Sequence, residues 1–203
     1  MYIFCLFIIS YLIGSIPFGL ILCKLYGLGD LRKIGSGNIG ATNALRTGNK
    51  IVALLTLLGD ALKGTVSVVL AKLAIEKGFV TVDPNYISYI VTLAGLAAIL
   101  GHIYSCFLKL KGGKGVATYL GVLLGLSLLL FAVFLSVWIL TAYVSKYSSI
   151  SALVATWTCC IVAILLIQNH NLIFLLISIL ISYTHRSNIH RFFTGTESKI
   201  NAK

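Results

Sequence analysis

Acidic side chains are scarce in this sequence: five Asp and Glu stand against 16 Lys and Arg in 203 residues, a formal charge of +11. Charge of either sign is thin at 10%, while 59% of residues are hydrophobic. A soluble domain carries roughly 25% charged residues, so the composition excludes an ordinary soluble globule and implies an integral membrane protein. The few carboxylates form no cluster that could hold a divalent ion, which argues against metal-dependent phosphatase chemistry; no metal and no cofactor are expected. Cys5, Cys23, Cys106, Cys159 and Cys160 lie in or beside apolar runs without CxxC or His/Cys spacing, and read as buried free thiols rather than disulfides or ligands. The first apolar run has no positive n-region before it and no convincing small-residue cleavage site after it, so it is expected to be a retained span.

What is present is a series of long apolar runs at residues 2–23, 51–75 and 86–107, then 116–143, 152–167 and 172–183. Pro17 is expected to kink the first, with Gly14 and Ser15 nearby to absorb the disturbance. Residues 116–143 would make a helix of about 42 Å, too long for one upright crossing of a core of about 30 Å. Two short segments turning near 125–128 fit better. They also place Lys146, Arg186, Arg191, Lys199 and Lys203 on the same side as Lys24, Arg32, Arg46 and Lys111, as the positive-inside rule requires. The expected fold is therefore an all-α integral membrane protein with about seven transmembrane segments, two of them short. Residues 1–203 form a single polytopic domain, N-terminus outside and C-terminus cytoplasmic. Five helices with a re-entrant piece is the near alternative. Gly121 and Gly125 match GxxxG and imply close helix packing. An outer turn at 168–171 holds His170, to which no role is assigned.

The inner-face loops, residues 29–50, 108–118, 143–151 and 184–203, carry the polar chemistry. In the second of these, Lys111-Gly112-Gly113-Lys114-Gly115-Val116-Ala117-Thr118 combines glycine, which lets backbone N–H groups approach an anion, with lysine countercharge. Alone, this stretch fits a phosphate cradle and fits equally a glycine turn obeying the positive-inside rule. The first loop, Gly35-Ser36-Gly37-Asn38-Ile39-Gly40-Ala41-Thr42-Asn43-Ala44-Leu45-Arg46, adds hydroxyl and amide donors and a guanidinium suited to bidentate phosphate binding. Ser145 and Ser148 in the third either donate to phosphate or cap the next helix. In the fourth, a helix would put His185, Asn188 and Arg191 on one face, as a functional motif or as a basic tail on lipid. Within the second span, Asp60 and Lys63 are three residues apart and can pair, either as a plain structural ion pair or in support of a polar site. His102 reads as a helix-end residue. A face so rich in Gly, Ser, Asn, His, Lys and Arg holds anions, most simply phosphate. Because GGKGV is not a Walker A sequence, ATP hydrolysis is not expected.

Taken in order, the Gly35–Asn43 stretch with Arg46, the Gly112–Thr118 stretch, and His185-Arg186-Ser187-Asn188-Ile189-His190-Arg191 with Gly195 and Glu197 resemble the three signatures of the bacterial acyl-phosphate:glycerol-3-phosphate acyltransferase (PlsY) family. The likeness runs from the first span to Glu197. The resemblance implies a membrane enzyme that moves a fatty acyl group from acyl phosphate to the sn-1 hydroxyl of glycerol 3-phosphate, giving lysophosphatidic acid and phosphate for phospholipid synthesis. It also implies seven segments and an active site facing the cytoplasm of a bacterial inner membrane. The chain departs from the family at Ser67 and Ser105, where members often have proline, which puts local helix kinks in question.

On this reading Lys111, Gly112, Gly113, Lys114 and Gly115, with Thr118, hold the acyl phosphate, and Lys114 stabilises the departing phosphate. Ser36, Asn38, Thr42, Asn43 and Arg46 bind glycerol 3-phosphate, with Ser145 and Ser148 as further phosphate donors. His185 and Asn188 orient the reacting groups; either His185 or the substrate's own phosphate accepts the proton. Glu197 holds the terminal motif, and Asp60 and Lys63 give structural support. Acyl phosphate, glycerol 3-phosphate and the lipid bilayer are the expected partners, a soluble acyl-phosphate-forming enzyme is a further candidate, and nucleic acid is not expected. The rival class, a small anion transporter or lipid-binding membrane protein, would need polar loops on both faces for alternating access.

Overall fold

In lipid every backbone N–H and C=O must be satisfied within its own segment, so long apolar runs become helices. The computed structural model describes residues 2–166 and 171–200, and among these the helices are α1 Tyr2–Ser15, α2 Phe18–Leu25, α3 Ala41–Ala44, α4 Lys50–Glu76, α5 Ile87–Ile103, α6 Val116–Leu126, α7 Leu128–Ser145, α8 Ser148–Leu166, α9 Asn171–Thr184 and α10 Arg186–Phe193. No strand occurs among the described residues. His170, most of the turn expected around it, and Lys203 lie outside them. The chain divides into two compact units, residues 1–126 and 127–203.

In the first unit, α4 is the centre, touching α1, α2, α3, α5 and α6. It starts at Asn49, whose side chain accepts the Val52 N–H at 3.1 Å, the first-turn donor that a helix cannot satisfy by itself. The break between α1 and α2 falls at Ile16 and Pro17, since proline lacks an N–H and disfavours helical backbone in the residue before it. The helices then approach backbone to backbone. A Cβ at Gly121 would overlap Ala61 of α4, one at Gly64 would overlap the Thr118 carbonyl of α6, and one at Gly101 would overlap the Tyr11 carbonyl of α1. The GxxxG pair accordingly serves packing: Gly121 meets Ala61 and Gly125 meets Val68, both on α4. Ser67, where the resemblance put a helix kink in question, donates to the Lys63 carbonyl at 2.9 Å and leaves α4 continuous over 27 residues.

In the second unit α8 packs on α7 and α9, and the short α10 touches α8 and α9. Ser127 ends α6 and caps α7, its hydroxyl accepting the Leu130 N–H at 3.4 Å. A bend of 57° at His185 separates α9 from α10.

Among the described residues five stretches are long and apolar enough to cross a membrane, Tyr2–Leu25, Lys50–Glu76, Pro84–Leu108, Leu128–Ser145 and Ser148–Leu166, and six if the bent pair α9 and α10 counts as one. The break expected near 125–128 is there, but it does not leave two short segments: α6 has 11 residues, whereas α7 has 18 and suffices for a crossing. The serine cap places the break so close to the start of the run that most of it stays with α7. The cysteines also need one correction. All five are free, yet Cys5 on α1 and Cys106 in the connection after α5 are exposed; only Cys23, Cys159 and Cys160 are buried.

Since Gly121 has no room for a side chain, Gly121→Val is expected to destabilise the protein by about 1–3 kcal/mol through overpacking. The same enlargement at exposed Leu140, Leu140→Phe, should leave stability unchanged. Thermal unfolding of both variants in detergent micelles checks the difference.

Candidate active site

The loop before α3 is shaped from within by Asn43, which is 2% exposed. Its Nδ2 group donates to the carbonyls of Leu31 (2.9 Å), Ile34 (2.9 Å) and Asn38 (2.7 Å), and its Oδ1 accepts the Ser36 N–H at 3.0 Å. Gly35 and Gly37 take left-handed backbone, φ +53° and +72°, which lets the chain fold around that amide. Every polar atom of Asn43 is thus used inside the loop. This corrects its assignment as a direct glycerol 3-phosphate ligand: Asn43 organises the loop that carries the others. Ser36 and Thr42 are exposed, and Asn38 uses Oδ1 to accept the Ile39 N–H. The Arg46 side chain lies over Gly35, in space that a Cβ at 35 would take. At the loop's entrance Asp30 accepts a fork of hydrogen bonds from Arg32, the shortest 2.6 Å, which holds its carboxyl down at about 2.

The second loop is anchored to the end of α5. Gly112 N–H donates to the Ile103 carbonyl at 2.9 Å and Gly113 N–H to the His102 carbonyl at 3.0 Å. Neither amide is available to an anion, which removes Gly112 and Gly113 N–H from the cradle expected over Gly112 through Gly115. These two glycines bring the chain against α5. Gly115, at φ +89°, makes the turn into that helix. Thr118 is fully buried where α6 meets α4, which removes it from contact with a phosphate. Just before the loop, Lys109 and Leu110 are non-glycine residues at φ 52° and 62°. Such backbone persists only where its surroundings fix it. Here Ser105 supplies the fixing: its carbonyl accepts the N–H groups of Leu108 and Leu110, and its hydroxyl donates to the Ser15 carbonyl at 2.6 Å.

Asp60 and Lys63 form the ion pair their spacing allows, at 2.8 Å and with side chains 2% exposed. Sequence reading missed its third member. His102 Nδ1 lies 2.8 Å from Lys63 Nζ, and a separation of 39 residues gives no local signal of that.

In the second unit Glu197 gathers the terminal motif. Its Oε1 accepts from Asn188 Nδ2 at 2.6 Å and Ser149 Oγ at 2.7 Å, and its Oε2 from Arg191 Nε at 2.8 Å. Asn188 and Arg191 share a face of α10, as their three-residue spacing implies, while His185 is the residue before its first turn. His185 Nδ1 is 2.8 Å from the Ile181 carbonyl, an acceptor only, so Nδ1 carries a proton there. Ser145 accepts the Tyr147 N–H at 3.2 Å and so acts as a turn cap; Ser148 opens α8. Ser149, which sequence reading did not single out from its neighbours, is the serine that reaches the motif.

These elements amount to two sets of polar groups: a pair of cationic loops in one unit, and the Glu197-centred motif around α10 in the other. The family described as glycerol-3-phosphate acyltransferase matches residues 4–195. A protein of that name from Sinorhizobium medicae (strain WSM419) is 50% identical over 201 residues, covering 97% of this chain and 91% of the relative. Another from Bartonella henselae is 51% identical over 203 residues, covering 96% and 90%. Among solved structures, the glycerol 3-phosphate form of PlsY, an integral membrane glycerol 3-phosphate acyltransferase, superposes with TM-score 0.86 at 35% identity, covering 98% of this chain and 96% of that one. Its lysophosphatidic acid form gives 0.84 at 34%. The chain belongs to the glycerol-3-phosphate acyltransferase family and is an integral membrane protein.

Glu197 supplies a pH test. Burial alone would raise its carboxyl, but the hydrogen bonds from Asn188, Ser149 and Arg191 and the charge of Arg191 outweigh it and hold the group below its ordinary 4.5. A carboxyl lowered by folding stabilises the folded state fully above its unfolded value and loses that contribution as pH falls through the folded one. Melting curves should therefore show wild type more stable than Glu197→Gln at pH 7, with the gap closing as pH drops below about 4. A constant gap would count against the network.

Proposed function

We propose that this chain is a membrane glycerol-3-phosphate acyltransferase that takes its acyl group from acyl phosphate and leaves lysophosphatidic acid and inorganic phosphate. The observation that carries this reading is the family match across residues 4–195, backed by a relative solved with glycerol 3-phosphate and with lysophosphatidic acid. In topology, seven membrane segments result if α6 and α9 each enter the bilayer, with the N-terminus outside. The polar loops and the C-terminus then face the cytoplasm of a bacterial inner membrane, where the positive-inside rule puts their lysines and arginines. A soluble enzyme that forms acyl phosphate would meet the protein on that face.

The sn-1 hydroxyl oxygen attacks the acyl carbonyl carbon; the new ester C–O bond forms as the C–O bond to phosphate breaks. A mixed anhydride already has a good leaving group, so orientation and charge stabilisation suffice without a covalent acyl-enzyme. Lys114, with Lys111, neutralises the phosphate that departs. Arg46 and Ser36, with Asn38 and Thr42, take the phosphate of glycerol 3-phosphate from the loop that Asn43 shapes. The hydroxyl proton passes either to the substrate's own phosphate or to His185, while Asn188 orients the reacting groups and is itself held by Glu197.

Purified protein in micelles should release phosphate only when acyl phosphate and glycerol 3-phosphate are both present, with lysophosphatidic acid formed in equal amount. Arg46→Ala and Lys114→Ala should each lower turnover on the order of 10²-fold, as loss of a charge aimed at a phosphate does. Normal turnover in both would sink the assignment, and anion flux across vesicles without chemistry would favour a transporter.

A further inference from the structure

The mechanism above gives no task to the polar cluster behind the Lys114 loop. Lys63 Nζ lies 2.8 Å from Asp60 Oδ1, 2.9 Å from the Ile16 carbonyl at the break before Pro17, and 2.8 Å from His102 Nδ1. An ammonium has three protons and no lone pair, so all three contacts are donations and His102 Nδ1 accepts. The neutral ring therefore carries its proton at Nε2. That opposite edge fills the space beside Gly113 where a side chain would begin, and the His102 carbonyl both accepts the Gly113 N–H and occupies the space beside Gly112.

Stability alone is a weak reason to keep such a cluster. A buried ion pair gains little over well-packed apolar side chains, and charges inside a membrane span are costly. What apolar side chains would not supply is an imidazole held in one rotation and one tautomer by a fixed charge. The glycine-rich segment needs that, because glycine has the most backbone freedom to lose.

We propose that Asp60, Lys63 and His102 are positioning residues for the acyl transfer: the charge-fixed imidazole of His102 is a wall that sets the register of Gly112 and Gly113 and so the place of Lys114. The inference rests on the reading that Lys114 serves the phosphate of the acyl donor. Lys63 fixes the ring, Asp60 fixes Lys63, and none of the three needs to touch substrate.

A double-mutant cycle tests it. His102→Ala should lower kcat/KM for acyl phosphate by roughly 10- to 100-fold while KM for glycerol 3-phosphate stays within about twofold, because a misplaced loop affects one substrate. Gly113→Ala should cost a similar factor in wild type, where the new Cβ meets the ring, but less than about twofold more in the His102→Ala background, where the ring is gone. Equal cost in both backgrounds, or a His102→Ala defect shared equally between the two substrates, would overturn the proposal. If His102→Ala does not fold, ¹⁵N-histidine NMR of the wild type and Gly113→Ala decides instead. The expected signature is a ring protonated only at Nε2, whose signal moves in Gly113→Ala; a ring protonated at Nδ1, or one indifferent to Gly113→Ala, contradicts the idea. The NMR arm needs no substrate, so a wild type inactive with acyl phosphate would sink the functional reading while leaving the wall itself separately measurable.

Discussion

Backbone contact between helices is the constraint on which the first unit depends. Lipid offers helices no hydrophobic drive to associate, so close approach through small residues has to supply the packing. The contacts sit where the chemistry needs them. Gly64 follows Lys63 and meets Thr118; Gly101 precedes His102 and meets Tyr11; Ala61 follows Asp60 and receives Gly121. Each charged or imidazole side chain is thus next to a point where two helices touch, and the approach of α1, α5 and α6 to α4 closes around Lys63. A larger residue at any of these glycines would separate helices and open the cluster as well.

The polar loops follow a second rule, in which one buried side chain organises each. Asn43 ties together Leu31, Ile34, Ser36 and Asn38 in the first loop; Glu197 ties Ser149, Asn188 and Arg191 in the last. A polar group buried away from water must find partners, and a side chain with several bonding sites satisfies several segments at once.

Much of this was legible in the sequence, because periodicity and composition report on single segments. Long apolar runs gave the helices, Pro17 marked the first break, and i, i+3 spacing anticipated both the Asp60–Lys63 pair and the shared face of Asn188 and Arg191. What escaped was whatever depends on segments meeting. Nothing near His102 indicates Lys63, and nothing in Ser145, Ser148 and Ser149 says which serine reaches Glu197. Glycine misled in a specific way. Gly112 and Gly113 read as donors to an anion, whereas their N–H groups belong to α5 and their missing side chains make room for His102. Thr118 looked like part of a polar motif because the sequence does not show that α6 turns that face onto α4.

The chemistry we propose is transfer in one step, directly from acyl phosphate to the acceptor hydroxyl. A mixed anhydride carries its own leaving group, so on this proposal no nucleophile is required to carry the acyl group in between. Isotope exchange tests this directly: enzyme, unlabelled acyl phosphate and ³²P-phosphate are incubated without glycerol 3-phosphate, and the label in acyl phosphate is measured. Direct transfer predicts no incorporation until the acceptor is present, whereas an acyl-enzyme would return its acyl group to labelled phosphate, and label appearing in acyl phosphate would contradict the account.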